Sequence, residues 1–144
     1  MAKVSAEVKI AATQEKVWEA ISNPADYEKW LTIHTKWKEA TPEAFTLGAQ
    51  IAEVVTMLGM ANTITWTVDE LEAPSRLRIS GTGMAGVKTA FTLNVDGDGN
   101  GGSKVEMDAE FEGQMVVGAL GAAVEKDAKE QLGKSLENFA GLVS

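Results

Sequence analysis

From position 33 to position 112, apolar and polar side chains alternate with a period of two, and after Gly113 the period lengthens to that of a helix. A chain written this way builds a sheet first and then lays one long helix on it. Turn-forming clusters at "TPEAFTLG", "LGM", "EAPS", "GMAG" and "DGDGNGG" divide the alternating region into strands near 33–40, 49–58, 61–72, 76–83, 87–96 and 103–112. Connections this short imply an antiparallel meander. The closing helix carries one apolar stripe: Val117, Leu120, Val124, Ala128, Leu132, Leu136 and Phe139.

Ahead of this region, "KVSAEVKI" alternates Val4, Ala6, Val8 and Ile10 with polar residues and reads as a first strand. "ATQEKVWEAIS" offers Thr13 as N-cap and Val17, Trp18 and Ile21 at helical spacing. "NPADYEKW" restarts a helix, with Asn23 capping and Pro24 at the first helical position. The fold class is therefore α+β: a curved seven-stranded antiparallel sheet wrapped around a long C-terminal helix, with two short helices between strands one and two. A length of 144 residues suits a single domain, 1–144, large enough to bury roughly two-thirds of the unfolded chain's surface.

The chain has no cysteine, which excludes disulfides and thiolate metal sites. The first residues lack a signal-peptide core, and no run reaches the roughly 20 apolar residues that span a bilayer, so a cytoplasmic protein without stable membrane insertion is expected. A net charge of −8 opposes nucleic-acid binding. No cofactor or metal site is expected. "GTGMAG", Gly81 to Gly86, has dinucleotide-binding spacing, but "VKTAFTLNV" after it alternates as a strand where that motif needs a helix. "DGDGNG", Asp96 to Gly101, imitates half a calcium loop, yet Lys104 and Met107 stand where later ligands belong. Both read as hairpin turns.

Choosing the apolar face of each strand predicts the interior: Ile33, Thr35, Trp37; Ile51, Glu53, Val55, Met57; Asn62, Ile64, Trp66, Val68; Leu77, Ile79; Val87, Thr89, Phe91, Leu93; and Val105, Met107, Ala109, Phe111. On this phasing His34, the chain's one histidine, points to solvent with Lys36 and Lys38. Thr35, Glu53, Asn62 and Thr89 are inward yet polar, and burying them in solid packing would cost several kcal/mol without partners. A cavity between sheet and helix resolves this. Tryptophans, together with Met57, Met60, Met84, Met107 and Met115, suit its walls.

The sequence resembles the helix-grip (SRPBCC, START-like) superfamily, the birch-pollen-allergen fold, in its polyketide cyclase/dehydrase-like branch. The resemblance rests on "TQEKVWEAISNPADYEKWL", with Val17, Trp18, Ile21, Pro24, Tyr27 and Trp30, on Gly48, on "LGM" at 58 to 60 and on the terminal helix. "WLTIHTKW" and "GMANTITW" are also similar to actinobacterial proteins named as toxins of toxin–antitoxin pairs. The resemblance implies a deep apolar cavity that takes a small hydrophobic molecule such as a lipid or polyketide. The expected ligand-binding residues are Trp30, Thr35, Trp37, Ile51, Glu53, Val55, Met57, Asn62, Ile64, Trp66, Ile79, Thr89, Phe91, Met107, Leu120 and Val124. Gly113, Gly118 and Gly121 either loosen a lid at the start of the last helix or allow it close packing.

Two other readings compete with ligand binding. In a cyclase or dehydratase, Glu53 serves as the base while Asn62 or Thr89 donates to the developing enolate. Catalytic members of the superfamily place His, Asp, Arg or Tyr in the cavity, and the predicted inward set has no histidine or arginine. In a toxin-like protein, the strip His34, Lys36, Lys38 would meet a small antitoxin-like partner.

Overall fold

A computed structural model of the protein describes residues 2–38, 44–83, 86–113 and 116–143. The elements are β1 (Ala2–Ile10), α1 (Gln14–Ile21), a 3-10 turn (Pro24–Asp26), α2 (Tyr27–Trp30), β2 (His34–Trp37), β3 (Gln50–Met57), β4 (Met60–Glu72), β5 (Arg76–Thr82), β6 (Lys88–Gly97), β7 (Ser103–Glu112) and α3 (Gly118–Val143). The seven strands form one antiparallel sheet in the order β1-β7-β6-β5-β4-β3-β2. From β2 to β7 neighbours in sequence are neighbours in space, and β1 closes onto β7 with Ala2 opposite Phe111 and Ile10 opposite Ser103.

The caps sit where the sequence places them. Thr13 Oγ1 accepts from the Lys16 amide at 3.3 Å, and Asn23 Oδ1 accepts from the Ala25 amide at 3.1 Å. With its ends fixed, α1 buries Val17, Trp18 and Ile21. α3 packs against β1, β7, α1 and α2. Its stripe is buried from Ala128 through Leu132, Leu136 and Phe139, but Val117 is 61% and Leu120 40% exposed. The first part of the stripe therefore faces something other than packed core.

Ser135, wholly buried on α3, holds the approach to β2: its Oγ accepts the Thr32 amide at 2.9 Å. Asn138 Nδ2 donates to the Trp30 carbonyl at 3.4 Å. Trp30 packs edge-on against Phe139 with ring centroids 5.2 Å apart, and Trp66 lies 5.3 Å from Phe91. Burying one ring of this size contributes about 4–6 kcal/mol before ordering costs. These aromatics fill the deep part of the space between sheet and α3.

The strand phasing holds through β3, β4, β5, β6 and β7 and fails in β2. His34 pairs with Val55, Lys36 with Val54 and Trp37 with Glu53, so one residue is inserted between His34 and Lys36. Such a bulge turns both His34 and Trp37 to the face shared by Glu53 and Val55. The His34 side chain is 4% exposed, not solvated. Thr35, expected inside, is exposed and bonds the Thr56 hydroxyl at 2.7 Å.

Candidate ligand-binding site

An apolar hollow of about 140 Å³ lies under the start of α3. The β3–β4 hairpin supplies Val55, Met57, Leu58, Met60, Asn62 and Ile64; Val87, Thr89 and Phe111 form its floor; Val116, Leu120 and Val124 come from α3 and its approach. Among the described lining residues, Asn62 and Thr89 carry the polar side chains. Leu58, Met60 and Leu120 are 41%, 54% and 40% exposed, so the mouth is rimmed with hydrocarbon.

The hairpin tip is a two-residue turn in which Leu58 (φ 52°) and Gly59 (φ 74°) both adopt positive φ. The Leu58 amide donates to Asp127 Oδ2 at 3.3 Å, and Gln131 Nε2 donates to Asp127 Oδ1 at 3.4 Å. One carboxylate thus ties the turn to α3 across the mouth. On the sheet side, a Cβ on Gly83 would stand 2.5 Å from Asn62 Nδ2, so that glycine leaves the Asn62 amide its room.

Deeper in, the space is closed around a polar group. Glu53, 1% exposed, accepts from Trp66 Nε1 at 2.8 Å and from His34 Nδ1 through its other oxygen. Two donors, one on each oxygen, meet much of the cost of burying a carboxylate. Tyr27 packs beside this pair, 6.2 Å from the His34 ring and 5.5 Å from Trp37. Burial, and secondarily the charge of Glu53, push the Tyr27 phenol well above its ordinary range, so it stays protonated. Trp37 Nε1 donates to the Pro24 carbonyl at 3.1 Å. The Trp30 indole nitrogen is buried with no hydrogen-bond partner among the described residues. A void of about 10 Å³ remains here, bordered by Tyr27, Trp30, Glu53, Ile79, Phe91 and Met107 among others, too small for more than one water.

The structure therefore divides the expected site. Val55, Met57, Asn62, Ile64, Thr89, Leu120 and Val124 line the hollow. Trp30, Glu53, Ile79, Phe91 and Met107 border only the small inner void. Thr35 faces outward, and Trp37, Ile51 and Trp66 border neither space. Indoles accordingly fill the fold's interior instead of walling the hollow. Met57 and Met60 do line it, while Met84 and Met115 lie outside the described residues. The site reading missed Leu58, Val87, Phe111 and Val116; Val87 and Phe111 carried a signal, since both alternate inward.

Gly121 packs closely: a Cβ there would come within 3.1 Å of the Val116 carbonyl carbon. After β5 the Gly83 amide donates to the Val87 carbonyl at 2.8 Å, while Met84 and Ala85 of "GTGMAG" lie outside the described residues. In the "DGDGNG" turn, Asp98 Oδ1 accepts the Asn100 and Gly102 amides at 2.7 and 3.0 Å, which hold its carboxyl below the usual range. The "DGDGNG" stretch is a turn, as expected. Among the described residues no cluster of His, Asp or Glu is arranged to hold a metal ion.

The family model described as polyketide cyclase / dehydrase and lipid transport matches residues 1–143. The chain belongs to this family. Within it, an uncharacterized protein of Mycobacterium tuberculosis (Rv1546) is 32% identical over 142 residues, covering 99% of each chain. Another protein of the same organism, named Toxin Rv0910, is 31% identical over 139 residues, covering 96% of each. A START superfamily protein from Mycobacterium smegmatis superposes with a TM-score of 0.76 at 19% identity, covering 99% of this chain and 97% of the other. That likeness confirms the helix-grip fold. Among the described residues no helix is long and apolar enough to cross a membrane.

Proposed function

We propose that the protein binds a small hydrophobic molecule in the hollow between the β3–β4 hairpin and the start of α3. The observation that carries this is an apolar space of about 140 Å³, open at one end through a rim of exposed hydrocarbon. A cavity of about 150 Å³ accepts benzene, whereas pockets for drug-sized molecules run to about 300–1,000 Å³. The bound portion is thus about the size of a six-carbon ring or chain end, and a wholly enclosed polyketide does not fit this conformation. Native mass spectrometry of the purified protein should show a retained hydrophobic molecule, and Val124→Phe should expel it while leaving the fold intact. Retention undiminished by Val124→Phe would place the ligand elsewhere.

Glu53 as the base of a cyclase or dehydratase is less well supported. Both of its oxygens are engaged, and it borders the inner void instead of the hollow. The relative named as a toxin favours a second reading, growth arrest relieved by a small antitoxin-like partner. If arrest occurs on expression and Val124→Phe abolishes it, that activity works through the ligand; arrest that survives points to an outward surface.

A further inference from the structure

Leu58 is doubly misplaced by ordinary folding criteria. It occupies the first central position of a turn with positive φ at both central residues, where Asn or Asp before Gly is strongly favoured and a leucine is strained. It also leaves its side chain 41% exposed at the mouth of the hollow it lines. Strain and exposed hydrocarbon meet at one residue beside a cavity, where among the described residues the Asp127 carboxylate holds the Leu58 amide and 41% of the residue stays open to solvent.

We propose that Leu58 is a specificity-determining residue that covers the part of the ligand protruding from the hollow, and that it selects molecules longer than the hollow can enclose. The inference rests on the binding reading above. Its geometry is continuous: Leu58 and Met60 stand on the hairpin side of the mouth and Leu120 on the α3 side, all three shared between hollow and rim. The Asp127 carboxylate fixes the distance between the sides by holding the Leu58 amide. A chain end of about six carbons fills the interior, and further methylenes run out between Leu58, Met60 and Leu120. The occupant is an amphiphile with an extended apolar tail, its polar end in water.

The experiment is a series of unbranched primary alcohols, butan-1-ol to nonan-1-ol, titrated calorimetrically against wild type, Leu58→Asn and Leu58→Met, with melting temperatures recorded for each. In wild type every added methylene should tighten Kd about two- to fourfold, continuing past six carbons. Leu58→Asn should keep the gains up to six carbons, lose most of those beyond, and raise Tm, because Asn-Gly suits the turn. Leu58→Met should retain the full series without the gain in Tm. Undiminished gains beyond six carbons in Leu58→Asn, or no rise in its Tm, would overturn the proposal while leaving the hollow as the binding site. Absence of binding by every alcohol in wild type would overturn the binding reading and this inference together.

Discussion

His34 Nδ1 meets Glu53 Oε2 across the β2–β3 pairing, inside the sheet and out of water, because a single inserted residue in β2 rotates the imidazole inward. With Trp66 on its other oxygen, the carboxylate on β3 is tied to both neighbouring strands, β2 and β4. The pair is buried and stands apart from the lining of the hollow.

Removing either partner leaves the other buried without its bond. His34→Leu and Glu53→Leu are each expected to lower stability by about 3–5 kcal/mol, read from urea-unfolding midpoints. The double replacement His34→Leu with Glu53→Leu should cost less than the sum of these two single changes, since the Trp66 indole N–H is then the one group of the set left without its partner. Additive losses would show that the two side chains do not interact.

Tyr27 is the chain's one tyrosine, so its ionisation is separately visible in the ultraviolet. Its folded pKa is raised above the ordinary 10.0, so above about pH 10 the unfolded chain has released a proton that the folded chain keeps. Stability should therefore fall as pH rises beyond that point, and tyrosinate absorbance should appear only with unfolding. Tyr27→Phe should flatten the alkaline fall; an unaltered slope would assign it to other groups.

Gly81 lies where β5 passes β4 closely: a Cβ would stand 2.4 Å from the Thr65 carbonyl oxygen and 2.8 Å from Ile64 Cγ2. Backbone has little room to give, so Gly81→Ala should cost about 1–3 kcal/mol in a thermal or urea melt. A neutral result would mean the two strands separate more easily than their register implies.

Ser135→Ala strips the Thr32 amide of its acceptor in a buried position. A loss of about 1–3 kcal/mol is expected, accompanied by faster hydrogen exchange at Thr32. Unchanged exchange would show that the bond does not anchor β2 to α3.

The sheet was legible because alternation in Ile51, Glu53, Val55, Met57 and in Ile64, Trp66, Val68 is set by which face is dry, a property of the residues themselves. β2 was not, since it is four residues long and one insertion breaks the period on which the reading depends. A clue was present: an inward Glu53 needs a donor, and the sole histidine stood nearby in the alternating region. The place of the hollow was also hidden. Val117 and Leu120 continue the apolar stripe of α3 in sequence, but whether a stripe meets packed rings or open space depends on how far the helix stands from the sheet. That distance is fixed by Trp30, Phe139 and Ser135 at the other end.

The most direct measurement is a methyl-resolved NMR titration with hexan-1-ol. Saturable shifts are expected at Val55, Ile64 and Val124, which wall the hollow, with Leu77 and Leu136 in the packed end unmoved. Shifts centred on Leu77 and Leu136, or none that saturate, would contradict a ligand site beneath the start of α3.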